Sequence, residues 1–229
     1  MGPVLELFDR MDAWRHFPNY QLERRADIFF SLYLPEVLEA KLGVPMRAEL
    51  APEFPVRIGT IYPDIQTDKS YKIDYLALSA TGAESVFVEL KTEGASRRES
   101  QDKYLVAAQR VGLPALLDGL CAIFRVTNSK RKYFALLQHL DRMGLLQIPV
   151  ALTAAMADAT LQGATAASTG IVVTAPIAEP RIVYVQPKGK GPDVISFQEF
   201  ADIVATHEDL VSQRFAESMR EWARVQAGA

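Results

Sequence analysis

The sequence predicts a single α/β domain over residues 1–229: a mixed central sheet flanked by helices, with extra helices at the C-terminus. Three observations carry this. Residues 72–91, KIDYLALSATGAESVFVELK, read as two strands about a polar turn, and both faces of the pair are apolar over most of their length. That is the pattern of strands buried on each side. Amphipathic helical patterns precede and follow the pair, and a later β-like run, Arg181–Gln186, offers a strand distant in sequence. The composition, 49% hydrophobic and 23% charged, provides for such a core, and no apolar run reaches membrane-spanning length.

Taken in order, residues 20–43 predict a helix whose broad apolar face holds Leu22, Ile28, Phe29, Leu32 and Tyr33. Gly43 is its stop, and Pro35 is expected to kink or split it. A β-like run over Val56–Tyr62 ends at Pro63. The hairpin strands lie near 72–79 and 85–92 around the turn ATGAES. Ser96, with Glu99 three residues on, forms a capping box that opens a helix over 96–111. Helices are expected over 114–124 and 129–143, and the Ala- and Thr-rich segment 150–170 reads as a flexible or loosely packed connection, with a helix as the alternative. The β-like runs Ile171–Thr174 and Arg181–Gln186 follow, separated by prolines, and PKGKGPD is a loop. Ser196 and Glu199 make a second capping box before a short helix, and residues 208–226 form a terminal amphipathic one.

The formal net charge of −3 argues against a wholesale basic coat for nucleic acid, though a local basic patch stays open. The single cysteine, Cys121, forms no internal disulfide and reads as a buried, inert thiol. The acidic N-terminus lacks the basic and apolar regions of a signal peptide, so the expected location is the cytoplasm, with no membrane partner.

The hairpin poses the functional question, because charges in buried strands are costly unless paired or bound. A four-residue turn at 81–84 sets 80 opposite 85, hence 74 opposite 91 and 76 opposite 89. Asp74, Glu89 and Lys91 then share one face with Leu76, Leu78 and Phe87. The other face carries Ile73, Tyr75, Val86, Val88 and Leu90. Two carboxylates are hard oxygen ligands for Mg²⁺, which keeps waters and meets phosphate. Such an ion lowers the pKa of a bound water, and a lysine adds positive charge beside a scissile phosphate. The competing reading is an edge salt bridge between Asp74 and Lys91, which leaves Glu89 without a partner.

With Asp74 on one strand and Glu89-Leu90-Lys91 on the next, 15 positions on, the hairpin resembles the core of the PD-(D/E)XK nuclease superfamily. The order of helix, strand, hairpin, helix and later strand is similar to that family's restriction-endonuclease-like αβββαβ core, over residues 20–112 and again at 181–187. One departure stands out. Asp74 follows Ile73, not proline, while a literal Pro63-Asp64 lies upstream, before a polar turn and out of register with Glu89. Asp74 is the preferred aspartate.

The resemblance implies a metal-dependent nuclease hydrolysing phosphodiester bonds, in DNA first of all, with Mg²⁺ or Mn²⁺ held by Asp74, Glu89 and the Leu90 carbonyl. Lys91 orients or activates water. Glu23, on the first helix, contacts the metal through water, with Asp27 one turn later; pairing of Glu23 with a nearby arginine is the plainer alternative. Arg97, Arg98, Gln101 and Lys103, on the helix after the hairpin, are nucleic-acid-binding candidates, since a helix N-terminus favours phosphate; a solvated helix face explains them equally well. Arg125, Lys130, Arg131, Lys132 and Tyr133, with Lys188 and Lys190, are candidates to track a phosphate backbone. A homodimer is among the assemblies allowed. The alternative function is a non-catalytic nuclease-like module binding nucleic acid or a protein partner, which a salt-bridged, inaccessible corner would favour. His16, His139 and His207 show no ligand spacing.

Overall fold

The structure, a computed structural model, describes residues 2–92 and 99–225. In chain order its elements are α1 (Pro3–Trp14), α2 (Leu22–Leu42), β1 (Ala51–Arg57), α3 (Ile58–Ile61), β2 (Ser70–Leu78), β3 (Ser85–Leu90) and α4 (Glu99–Val111). There follow α5 (Leu113–Val126), α6 (Lys130–Arg142), β4 (Leu146–Gln147), α7 (Val150–Ala157), α8 (Ala164–Ala167) and a 3₁₀ turn, Ser168–Gly170. The last are β5 (Val172–Val173), β6 (Arg181–Gln186), β7 (Val194–Ser196), α9 (Phe197–Val204) and α10 (Leu210–Val225). The chain is thus α/β, with a five-stranded sheet in the order β1-β2-β3-β6-β7. β1 and β2 run antiparallel and β6 and β7 parallel, so the sheet is mixed. Among the described residues no single helix is long and apolar enough to cross a membrane.

The contacts divide the chain into two units. The first comprises Met1–Ala48, Val88–Glu99 and Val183–Ala229. Its core is aromatic: the Phe30 ring lies 5.5 Å from Phe197, 5.1 Å from Phe200 and 5.3 Å from Phe215, and Trp222 is fully buried. Helix α2 supplies Phe30 from a stripe spaced by three and four residues: Leu22, Ala26, Phe30, Tyr33, Leu34, Val37 and Leu38. The predicted face is corrected here. Ile28 and Leu32 are 61% and 62% exposed, because the periodicity of the whole helix, not the local cluster DIFFSLY, decides which side packs. The helix runs through Pro35 as one element and ends at Gly43, whose φ of 70° is the left-handed cap that glycine adopts without strain. α1, which the sequence reading passes over, docks on α10: Arg214 donates to Asp9 and Asp12, and the Trp222 indole N–H donates to Asp12 at 2.7 Å. α9 opens with the predicted capping box, the Glu199 N–H on Ser196 Oγ and the Ser196 N–H on Glu199.

The second unit comprises Glu49–Phe87 and Ser100–Ile182. Here the expected run Val56–Tyr62 is corrected to a strand that begins earlier, at Ala51, and gives way to α3 at Ile58. Pro52 and Pro55 hid this strand, but β1 is an edge strand, where a missing N–H is tolerated. α5 packs on β1 and α3, and closely so at Gly119, where a Cβ would run into the Thr60 side chain. The segment 150–170, expected as a loose connection, forms α7 and α8, with Leu152, Met156 and Ala164 buried. Alanine's helix propensity explains the helices, and their brevity explains the weak periodicity. β5 lies within the run expected at 171–174; its two-residue partner β4 is too short to read from sequence.

Candidate active site

β3 is buried at all six positions, as expected of a strand covered on both faces. Glu89, near its end, is 1% exposed, and Lys91, just past it, is 4% exposed. The Lys91 N–H donates to the Val185 carbonyl of β6 at 2.8 Å, so the ladder holds the backbone here beyond the last strand residue. The Lys91 ammonium donates to Glu89 Oε1 and to the Leu90 carbonyl, both at 2.8 Å. This differs from the salt bridge considered from the sequence: Lys91 pairs with Glu89, and Glu89 is not left over. Burying such a pair brings a desolvation cost that the attraction often only offsets, and apolar residues of similar volume commonly serve stability as well. A buried acid and ammonium at the end of a central strand therefore call for a reason other than stability.

Asp74 lies on β2, half-buried, in the second unit. The β1–β2 register brackets it between Ile73, opposite Phe54, and Tyr75, opposite Pro52. Glu53 falls between those partners, with a φ of 51°, and its carboxylate takes the Lys72 ammonium. The hairpin turn closes one residue earlier than predicted, around 80–83. The Ser79 N–H donates to the Glu84 carbonyl at 2.9 Å, and Ser79 Oγ accepts the Glu84 N–H at 3.1 Å. Continued from the turn, that pairing sets Leu78 against Ser85 and Leu76 against Phe87, two residues from the expected register. The expected pairings of 80 with 85, 76 with 89 and 74 with 91 do not follow from this turn. An even shift leaves each side chain on the face predicted for it. Asp64 stands in an exposed turn after α3.

The remaining candidates scatter. Glu23 sits half-buried in the first turn of α2, and Asp27, also half-buried, one turn on. Gln101 is half-buried on α4 and donates to the Tyr104 hydroxyl at 3.4 Å, which donates to the Lys72 carbonyl at 2.9 Å. Tyr104 also stacks on Tyr71 at 4.5 Å, so this helix is anchored to β2 two residues from Asp74. Lys103 is exposed; Arg97, Arg98 and the expected cap Ser96 lie outside the described residues. Of the basic run, Lys130 is engaged as a helix cap, donating to the Phe124 and Arg125 carbonyls at the end of α5, and burial pulls its pKa below the usual lysine value. Arg125, Arg131 and Lys132 are exposed, as are Lys188 and Lys190 in the first unit's loop after β6. Cys121 is buried, and desolvation pushes its thiol up to about 11, in keeping with an inert residue.

One feature escaped the sequence reading. A groove of about 440 Å³ opens in the first unit, lined among others by Leu7, Arg10, Met11, Trp14, Tyr20 and Arg25. The signal was there, in the interleaving of aromatic and basic residues along RMDAWRHFPNYQLERR.

Among the described residues no three His, Cys, Asp or Glu side chains gather as a metal centre. The donor chemistry at Glu89 nevertheless suits a hard cation: Glu89 Oε1 and the Leu90 carbonyl already converge on one positive centre, the Lys91 ammonium. Two protein ligands and retained waters would satisfy Mg²⁺, which seldom takes an all-protein cage. Compared with family models, with curated proteins and with solved structures, the chain matches none.

Proposed function

We propose that the protein is a metal-dependent nuclease hydrolysing phosphodiester bonds, in DNA first of all, of the restriction-endonuclease-like class that its hairpin resembles. The observation that carries the reading is the Glu89–Lys91 pair, buried at the end of a central strand whose neighbour β2 bears Asp74. In the proposal Asp74, Glu89 and the Leu90 carbonyl hold Mg²⁺ or Mn²⁺, and Glu23 contacts the ion through water. The ion, when bound, lowers the pKa of the attacking water and neutralises charge on the phosphoryl oxygens. Lys91 exchanges its bonds to Glu89 and Leu90 for one to the water or the scissile phosphate, where an ammonium stabilises developing charge. Gln101 and Lys103, with Arg97 and Arg98, contact the nucleic acid.

A second reading has one observation in its favour. The ion pair is buried, with side chains 5% and 2% exposed, as in a non-catalytic module that binds nucleic acid or a protein. Cleavage of a panel of DNA and RNA substrates with Mg²⁺, Mn²⁺ or EDTA separates the two. Metal-dependent products that vanish in EDTA are expected, and inertness on the whole panel would favour the module.

A further inference from the structure

We infer that the groove between α1 and the start of α2 binds an unpaired nucleotide of single-stranded nucleic acid, its base against the Trp14–Tyr20 corner and its phosphate on Arg25. The choice of nucleic acid rests on the proposed nuclease function; the site itself rests on the groove. At about 440 Å³ it falls in the range of ligand pockets, roughly 300–1,000 Å³. Trp14 and Tyr20 meet edge to face, centroids 6.3 Å apart and planes at 77°, and Trp14 is 41% exposed. Each ring carries an arginine: Arg10 lies 5.8 Å from the Trp14 centroid and Arg25 lies 5.3 Å from that of Tyr20.

Charge decides the ligand. Arg10 is paired with Glu6 at 2.5 Å, whereas among the described residues no carboxylate pairs with Arg25. The groove thus offers aromatic surface beside one uncompensated guanidinium, which suits a planar ring joined to an anion. A duplex hides its base faces within the stack; an unpaired nucleotide presents one, and stacking on aromatic side chains is how single strands are held without regard to sequence.

The full chain contains two tryptophans, and Trp222 is fully buried, so a base stacking on Trp14 should be read directly as quenched fluorescence above a constant background. In EDTA, which stops metal-dependent cleavage, a short thymidine homopolymer should quench the wild type. Arg25→Ala should weaken that binding about tenfold or more, the scale of one lost nucleotide contact. Trp14→Leu should abolish the quench with circular dichroism unchanged. Absence of quenching, or the same affinity in Arg25→Ala, would overturn the inference. Equal binding of thymidine monophosphate would make this a small-molecule site, and equal binding of heparin a mere charge effect; both overturn it. Cleavage in Mg²⁺ on the same preparations keeps the two readings apart: a protein that cuts but is not quenched refutes the groove alone. One that is quenched but cuts nothing refutes the nuclease alone.

Discussion

Replacing Lys91 by alanine takes away the ammonium bonded to Glu89 Oε1 and the Leu90 carbonyl. Both side chains are at most 5% exposed, so the variant leaves Glu89 a buried carboxylate without the Lys91 ammonium. Breaking a buried pair in this way costs about 3–5 kcal/mol. For a chain of 229 residues each kcal/mol lowers the melting temperature by about 2–4 °C, so the expected fall in EDTA is about 6–20 °C. If the same oxygens take a divalent ion, Mg²⁺ at a hundred times its dissociation constant returns about 2.7 kcal/mol, most of the loss. Removing the competing ammonium also tightens that ion. The assay is thermal unfolding of wild type and Lys91→Ala in EDTA and in Mg²⁺, with cleavage measured beside it. Cleavage should drop about a hundredfold or more, as when one preorganised charge stabiliser is lost. A variant that melts lower, is not rescued by Mg²⁺ and cuts at the wild-type rate would refute the reasoning and leave the pair a structural one.

The double variant Glu89→Gln, Lys91→Met should melt within a few degrees of the wild type yet show no cleavage, since an apolar or neutral substitute for both partners is often harmless to stability; a large loss of stability would show the pair to be needed by the fold. Asp74→Asn should abolish metal-supported cleavage with folding intact, and Asp64→Asn should leave it unchanged; the reverse result would move the motif to Pro63-Asp64. Cys121 should resist thiol reagents at pH 8 until the protein unfolds, because its folded pKa of about 11 leaves about a thousandth as thiolate and the residue is buried. The sign for stability follows: the raised folded value favours the native state fully below about 9, the ordinary thiol value, and that advantage is lost as the pH rises towards about 11. Denaturation midpoints of wild type and Cys121→Ala, followed from pH 8 to 11, should converge; parallel curves would show that the thiol does not titrate with unfolding.

Local signals made the readable part of this fold readable. Gly43 stops α2, Ser196 and Glu199 open α9, and the two apolar runs about a polar turn along 72–91 declare a hairpin because each depends on neighbours in sequence. α1, β4 and β7 were missed for the opposite reason. α1 is held by Asp12 to Arg214 and Trp222, some two hundred positions away, and β4 and β7 are two and three residues long, below any periodic signal. At the site, Glu89 and Lys91 could be singled out because charges interrupt an apolar strand. Their pairing with each other could not, since it depends on how deeply the strand end is buried. The two-residue register error came from assuming that 81–84 made the turn, where Ser79 closes it with its own hydroxyl and N–H.

Strand β1 ends the sheet on one side and β7 on the other, and neither invites another strand. Along β1, Pro52 and Pro55 lie three residues apart and so on opposite edges of the strand, so one of them removes an amide donor that a neighbouring chain would need, and Glu53 between them has a positive φ. β7 offers only three residues, too few to template a ladder. Edge-to-edge growth of the five-stranded sheet is therefore disfavoured at both of its ends.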